Sequence, residues 1–537
     1  MRHGTAVASR VSAVLRQPQP HRLIKSRLHP RRWQTTQAAT ALPEIPPRRW
    51  STPLAETLAK AIEVLDFILL TTNVLTAQVT GPISIASYMR QCLTSPDGGY
   101  YTTAPSHPDS SLTADQFGRH GDFITSPEIS QMFGELVAVW FLTEWIAQGR
   151  PSSGVQFVEV GPGRGTMMSD VLRTTSQFRS FAGAVEGVWL VEAGEALRKK
   201  QCEVLCGVGS KMEEVKEKEG QRTVYWEARS RYGNGIPVRW VEDVALLPTG
   251  KEHVGKMPFI IAHEFFDALP IHAFESVAAA PEAEKTELLD RDGRPMVRQN
   301  PASKVPQWRE LLVSPIRPKI DLFATSSEGG MEAKQPDADF HLTLAKASNP
   351  NSIVIPERPR YRALKQQPES RIEVSPESHR YIQDFARRIG GDTIGTKPAG
   401  AALIIDYGPL ETIPVNSLRG IKEHKIISPF AFAGQADISA DVDFGALADA
   451  ALEGSQGVEV HGPVEQGDWL VQLGIKDRAE KLMKAVEEDK KNDIETGWKR
   501  LVEGGPRGMG KAYKVMAVLP ENGGRRRPVG FGGAVEG

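Results

Sequence analysis

No aspartate or glutamate precedes Glu44 in this 537-residue chain. Arg2, Arg10, Arg16, Arg22, Lys25, Arg27, Arg31 and Arg32 all do, and Val7, Val11, Val14 and Leu15 recur at helical spacing. An acid-free, arginine-rich start without a long apolar centre predicts a mitochondrial presequence over 1–45, delivering the chain to the matrix, rather than a secretory signal. A disordered basic tail is the alternative. Cysteine is scarce: Cys92, Cys202 and Cys206 exclude a disulfide framework. Cys202 and Cys206 lie four apart with no histidine nearby, which reads as buried thiols rather than metal ligands. Long apolar runs are missing as well. The nearest, Val64 to Ala77, contains Asp66, Thr71, Thr72 and Asn73, so no membrane span is predicted. Net charge is almost absent, at −1, and gives no reason to expect a nucleic-acid partner.

What is present starts with Phe157-Val158-Glu159-Val160-Gly161-Pro162-Gly163-Arg164-Gly165-Thr166. A short apolar run reaches an acid, then three alternating glycines, then a helical pattern through Leu172: a strand, a tight turn and a helix start. Glycines allow close backbone approach and unusual φ values, and the helix start offers free N–H groups. Dinucleotide sites show G-x-G-x-x-G. The spacing here, acid-x-G-x-G-x-G, matches S-adenosylmethionine (SAM) sites. A turn that only packs a helix on a sheet is the plainer alternative.

The apolar runs Val155–Val160, Val188–Val191, Val238–Val241, Phe259–Ala262 and Leu403–Ile405 predict buried parallel strands. Helical stretches between several of them predict an α/β, doubly wound Rossmann-like sheet. Earlier, Thr80-Gly81-Pro82 opens a helix from Ile83 to Cys92, and Ser126-Pro127-Glu128-Ile129 reads as a start with Ser126 as N-cap, running on through Phe141. Trp308 to Val313 suggests a strand inside an otherwise Pro/Ser/Glu/Lys-rich stretch. A helix near Phe444–Leu452, a charged helix from Lys476 to Val502 and a strand from Tyr513 to Leu519 follow. The expected division is 1–45 presequence, 46–150 helical lid region, 151–275 first core part, 276–400 insertion, largely loop, 401–520 second core part with helical additions, and 521–537 disordered tail.

Several blocks together carry a resemblance. They are Gly81-Pro82-Ile83-Ser84; Gly121-Asp122-Phe123-Ile124-Thr125-Ser126-Pro127-Glu128; the glycine turn; Ala262-His263-Glu264-Phe265-Phe266-Asp267-Ala268-Leu269-Pro270; Ile404-Ile405-Asp406-Tyr407-Gly408; Asp441-Val442-Asp443-Phe444; and Gly462-Pro463-Val464-Glu465-Gln466-Gly467. In this order from about 81 to 519 they resemble the MidA-like family of SAM-dependent methyltransferases. Its mitochondrial members are protein arginine methyltransferases that act as complex I assembly factors. The resemblance implies a class I methyltransferase fold, SAM as cofactor, and the 49-kDa-type core subunit of complex I as protein substrate. Two departures stand out. Val191-Glu192-Ala193-Gly194 lacks the serine usual after the acid. Glu63 to Gln78 intervenes where the family has a short link, either as a lineage-specific insert or as a translated intron.

For the chemistry, Gly161, Gly163 and Gly165 would let the backbone pass the methionine portion of SAM. Glu159 is placed to receive the ammonium, directly or through the turn. Glu192, ending the second strand, suits the ribose hydroxyls. Asp243, after the third, suits the adenine amino group or is a helix cap. On the acceptor side an arginine stays protonated, so carboxylates forming a fork suit it. The candidates are Glu264 and Asp267 past the fourth strand, with first-turn helix acids as the alternative. Glu128 and Glu135 are lid candidates, and Glu128 is equally a first-turn acid. His263-Glu264-Phe265-Phe266-Asp267 lacks the second histidine of H-E-x-x-H, so no metal is expected. Two other readings stay open: a non-catalytic assembly chaperone that retains SAM binding, and a nicotinamide oxidoreductase, disfavoured by the glycine spacing.

Overall fold

Five strands run parallel because their side chains are apolar on both faces, as a sheet covered by helices on each side requires. They are β1 (Val155–Val160), β2 (Val185–Val191), β5 (Pro237–Val241), β6 (Met257–His263) and β7 (Ala401–Tyr407). Four more complete a nine-stranded sheet: β3 (Glu213–Lys216), β4 (Thr223–Arg229), β8 (Val458–Glu465) and β9 (Tyr513–Pro520). The spatial order is β8-β9-β7-β6-β1-β2-β5-β4-β3. The order reverses between β1 and β6, the switch point where α/β sheets bind ligands beyond their carboxyl ends. β9 is antiparallel to β7, with Tyr513 opposite Tyr407. The start of β9 therefore lies at the edge where β7 ends.

The computed structural model describes residues 50–71, 81–102, 121–216, 223–249, 252–279, 285–289, 295–299, 304–316, 338–391, 396–505 and 507–532. The expected presequence lies outside them. Residues 72–78 of the Glu63–Gln78 stretch do too, and a helix, Pro53–Thr71, runs into that stretch. Among the described residues no helix is long and apolar enough to cross a membrane.

Two apolar layers sandwich the sheet. One packs Phe141, Phe157, Phe181 and Phe259 with Trp140 and Trp145. The other packs Val158, Ile260 and Ile404 against Ile382, Phe385 and Leu447. The stretch expected to be largely loop is more ordered than its composition suggests. Gln307–Pro315 is the centre of a five-stranded antiparallel sheet with Ile83–Ser84, His272–Val277, Phe340–Leu344 and Arg371–Val374. The helix Pro376–Gly390 then covers the main sheet with Tyr381, Ile382, Phe385 and Ile389. Its signals are local: Ser375 caps, Pro376 opens and Gly391 closes it in a left-handed conformation.

Other boundaries shift for similar reasons. The helix expected from Ile83 begins at Ile85, because Ser84 caps it by accepting from the Ser87 N–H. Thr125, not Ser126, precedes the Ser126–Ile129 turn, and Ser130 breaks it with φ −158° before capping Gln131–Ala147. The single charged helix is two, Ile475–Lys484 and Glu488–Val502. The C-terminal tail, expected to be disordered, is seated through 532. Arg526 pairs with both oxygens of Glu144, and Phe531 packs on Trp140.

Candidate active site

The first turn at the switch point is built from sequence-local instructions. Gly161, Gly163 and Gly165 all have left-handed φ, at 64°, 50° and 82°, and Gly165 is the N-cap of Thr166–Thr175. A Cβ on Gly161 would lie 2.9 Å from Phe265 Cδ2, so this turn abuts the one following β6.

Glu159 sits in β1 just before the turn and is 2% exposed. Its Oε2 is buried without a hydrogen-bond partner among the described residues. Burial alone pushes its carboxyl up to about 8. An orphaned buried carboxylate oxygen beside a glycine turn fits an ammonium ligand. Glu192 follows β2. Its Oε1 accepts from the Gly194 N–H at 2.7 Å and its Oε2 from Gln201 Nε2 at 3.2 Å. Burial raises it to about 7 against those bonds and the nearby Arg198. Gln201 was not anticipated from the sequence. Its amide also donates to the Gly163 carbonyl and accepts from Trp240 Nε1, tying the glycine turn, Glu192 and β5 into one frame. As the weaker cap implied, Gly194 offers the next helix no side chain. Asp243 stands apart. It caps Val244–Leu246 through the Ala245 N–H, and its carboxylate is 44% exposed, 3.8 Å from Arg380.

Across the switch point the carboxyl ends of β6 and β7 gather a different set. Glu264 leaves β6 with φ 49°, a left-handed conformation uncommon outside glycine. The strain is held by Asp406, which is fully buried. Its Oδ2 accepts from the N–H groups of Phe265, Phe266 and Asp267 at 3.1, 2.8 and 3.4 Å, and its Oδ1 from Tyr407. Glu264 Oε1 accepts from the Tyr513 hydroxyl at 2.7 Å. Asp267 is 7% exposed. Burial first, then Asp406 and Asp437, push its carboxyl well above the usual range, with Arg419 opposing. Burial does the same to Glu264, opposed by Tyr513 and reinforced by Asp267. Asp406 rises to about 7 and Asp437 to about 6, burial dominating both. Tyr101 hydrogen-bonds Asp437 at 2.7 Å, and Arg419 lies over the Tyr407 ring while bonding Asp441.

The structure thus brings Glu264 and Asp267 together and places Glu128 near them, among the charges that raise Glu264. Glu128 also lies 3.3 Å from Arg164 of the glycine turn. Glu135 points elsewhere. Its two oxygens are taken by Arg173 and Arg478 at 2.9 and 2.6 Å, joining three helices. His263 is buried, its Nε2 is 3.5 Å from Glu264, and burial lowers it to about 3, so its ring is neutral at physiological pH. No metal-ligating cluster occurs among the described residues. Asp406, Asp437, Tyr101, Tyr407, Tyr513 and Arg419 were not anticipated. For Asp406 a signal existed, since an acid ending an apolar strand is what also marked Glu159 and Glu192.

Residues 136–464 match a family described as S-adenosyl-L-methionine-dependent methyltransferases. The chain belongs to this family. The chain is similar to mitochondrial protein arginine methyltransferase NDUFAF7 of Homo sapiens, 32% identical over 447 residues and covering 82% of this chain and 81% of that one. The Drosophila melanogaster NDUFAF7 homolog is 33% identical over 441 residues, with 82% of each chain covered. The fold resembles a Burkholderia thailandensis protein crystallised with S-adenosyl-homocysteine, at a TM-score of 0.54, 19% identity, and coverage of 91% of this chain and 97% of that one. The family membership makes this chain a SAM-dependent methyltransferase, and the carboxyl edge of its sheet holds residues that fit that cofactor.

Proposed function

We propose that this SAM-dependent protein arginine methyltransferase acts in the mitochondrial matrix on an arginine of the 49-kDa-type core subunit of complex I, with Glu264 and Asp267 holding the guanidinium. The observation that carries the acceptor assignment is the pairing of these two buried carboxylates at the end of β6, against the glycine turn. The names of the relatives, mitochondrial protein arginine methyltransferases, support the substrate type and the compartment.

When bound, SAM supplies an electrophilic sulfonium methyl. Glu159 would receive its ammonium, the Gly161–Gly165 backbone would pass its methionine portion, Glu192 would accept from the ribose hydroxyls, and Asp243, the outlying member of the set, would take the adenine amino group. On the other side, the carboxylates hold the planar cation by charge-assisted hydrogen bonds and aim one nitrogen at the methyl group. Glu128, near both turns, closes the site from the helical region. Glu135 acts through the helices it joins. Arginine is the acceptor that such a group of acids suits. A cation entering returns Glu264 and Asp267 toward their ionised forms, whereas a neutral amide would leave several buried acids without a counter-charge.

The test is methyl incorporation from labelled SAM into the purified 49-kDa-type subunit, with mass spectrometry locating the methyl group. Label on arginine is expected. Intact SAM binding with no incorporation would favour a non-catalytic assembly chaperone.

A further inference from the structure

We propose that Tyr513, backed by Tyr407, is a positioning residue for methyl transfer: its hydroxyl aims Glu264, so that Glu264 takes the proton the arginine loses. This rests on the reading of Glu264 as an acceptor-side carboxylate. The two tyrosines come from adjacent antiparallel strands, and register puts them directly opposite each other. Their rings lie 4.1 Å apart, and their hydroxyls are hydrogen-bonded to one another. Tyr513 donates to Glu264 Oε1 at 2.7 Å. The same hydroxyl also donates toward the Tyr407 hydroxyl oxygen, so Glu264 and Tyr407 share its one proton. Burial first, then the neighbouring Glu264, keeps both phenols protonated and therefore donors. Tyr513 thus fixes Oε1 of Glu264 and Tyr407 packs behind it, while the Ser126 backbone N–H also donates to that carboxylate.

The reaction needs such a group. A guanidinium nitrogen lone pair forms a bond to the methyl carbon, the carbon–sulfur bond breaks, and its electron pair stays on sulfur as a neutral thioether. The methylated guanidinium keeps its single positive charge only if the attacking nitrogen gives up a proton. Glu264 accepts that proton, becomes a neutral acid, and returns it to water after product leaves. A hydrogen bond from Tyr513 favours the ionised carboxylate at the start of the cycle. The other titratable groups facing Glu264 are His263, which is neutral, and Asp267, Asp406 and Glu128, which all favour protonation of Glu264. Tyr513 is thus the side chain at Glu264 Oε1 whose hydrogen bond opposes that pressure.

The experiment compares Tyr513→Phe, Tyr407→Phe and Glu264→Gln with wild type. The readouts are SAM affinity by calorimetry, pH profiles of kcat and kcat/KM, and pH-dependent binding of the purified subunit to enzyme loaded with S-adenosyl-homocysteine. Phenylalanine keeps each ring and removes only the hydroxyl. Tyr513→Phe is expected to leave SAM affinity unchanged and lower kcat on the order of tenfold. The acid limb of both rate and subunit binding should move to higher pH by about one unit, as for loss of one hydrogen bond to a charged group. Tyr407→Phe removes the competing acceptor of the Tyr513 hydroxyl and should shift the limb the other way and by less, which keeps the test open if Tyr513→Phe folds poorly. Wild-type pH profiles in the tyrosine variants, beside an inactive Glu264→Gln, would overturn the role of Tyr513 and leave the acceptor reading standing. Wild-type turnover in Glu264→Gln would overturn the acceptor reading and this inference with it.

Discussion

The two sides of the switch point solve opposite problems with the same residue type. On the donor side, Glu159 in β1 has an unpartnered buried oxygen, and Glu192 just past β2 is held by the Gly194 N–H and Gln201 with Arg198 nearby. On the acceptor side, Glu264, Asp267, Asp406 and Asp437 crowd together with three tyrosines and one arginine. A SAM ammonium and a pair of hydroxyls each need one carboxylate. A guanidinium that must be gripped, aimed and relieved of a proton needs several. The contrast teaches that isolation marks recognition of the donor, and crowding marks the place where charge changes.

A set of variants and one change of condition would break or sharpen that comparison. The largest effect is expected at Gly163, whose φ of 50° a β-branched residue resists. Gly163→Val should abolish SAM binding by calorimetry while the circular dichroism of the fold persists, and unchanged affinity would remove this turn from the donor site. Next, Asp406→Asn replaces an acceptor of backbone N–H groups by an amide that presents hydrogens of its own. It should lower stability by about 1–3 kcal/mol and cut turnover with SAM affinity retained, in denaturant titration and single-turnover assays. A loss of SAM affinity instead would merge the two sides into one. Glu192→Ala should weaken SAM by about 1.5–3 kcal/mol. Gln201→Ala, which removes only the frame behind Glu192, should weaken it by about 1 kcal/mol, and an equal loss in both would mean that Glu192 touches no ligand.

The smallest effect is a pH dependence with a definite sign. Glu159 is raised to about 8 and Glu192 to about 7, both above the 4.5 of an ordinary glutamate. The folded state therefore holds protons that the unfolded chain has already released. The stability these groups contribute is complete below about pH 4.5 and is lost as pH rises through 7 to 8. The ligand-free protein should lose a few degrees of Tm between pH 6 and 8.5, and Glu159→Gln should flatten part of that slope. If the ionised Glu159 is the partner of the SAM ammonium, as proposed, the Tm gained from SAM should grow over the same interval. A slope unchanged in Glu159→Gln would show that this carboxyl is not its source.

Legibility in the sequence divides along the same line. The donor side could be read because its instructions are contiguous: Glu159 and three glycines within seven residues, and Glu192 one step past an apolar strand. The parallel strands were visible for the same reason, as unbroken apolar runs. The acceptor side was half legible. Glu264 and Asp267 share one segment with β6, but Asp406, Asp437 and Tyr513 meet them only through sheet order and an antiparallel register that no local pattern encodes. The second sheet escaped because its strands are short, and Ile83–Ser84 pairs with Gln307–Pro315 across more than 200 residues of sequence. The seated tail escaped because one half-buried ion pair, Arg526 with Glu144, and one ring, Phe531, hold a stretch whose composition is otherwise that of a loop.

The account stands most directly on one paired measurement: SAM affinity and single-turnover methyl transfer, side by side, in Glu264→Gln and Asp267→Asn. If the acceptor carboxylates act in the transition state and not on the donor, SAM affinity should stay within about twofold of wild type while transfer falls by about 100-fold or more. Wild-type transfer in both variants, or SAM affinity lost in either, would contradict it.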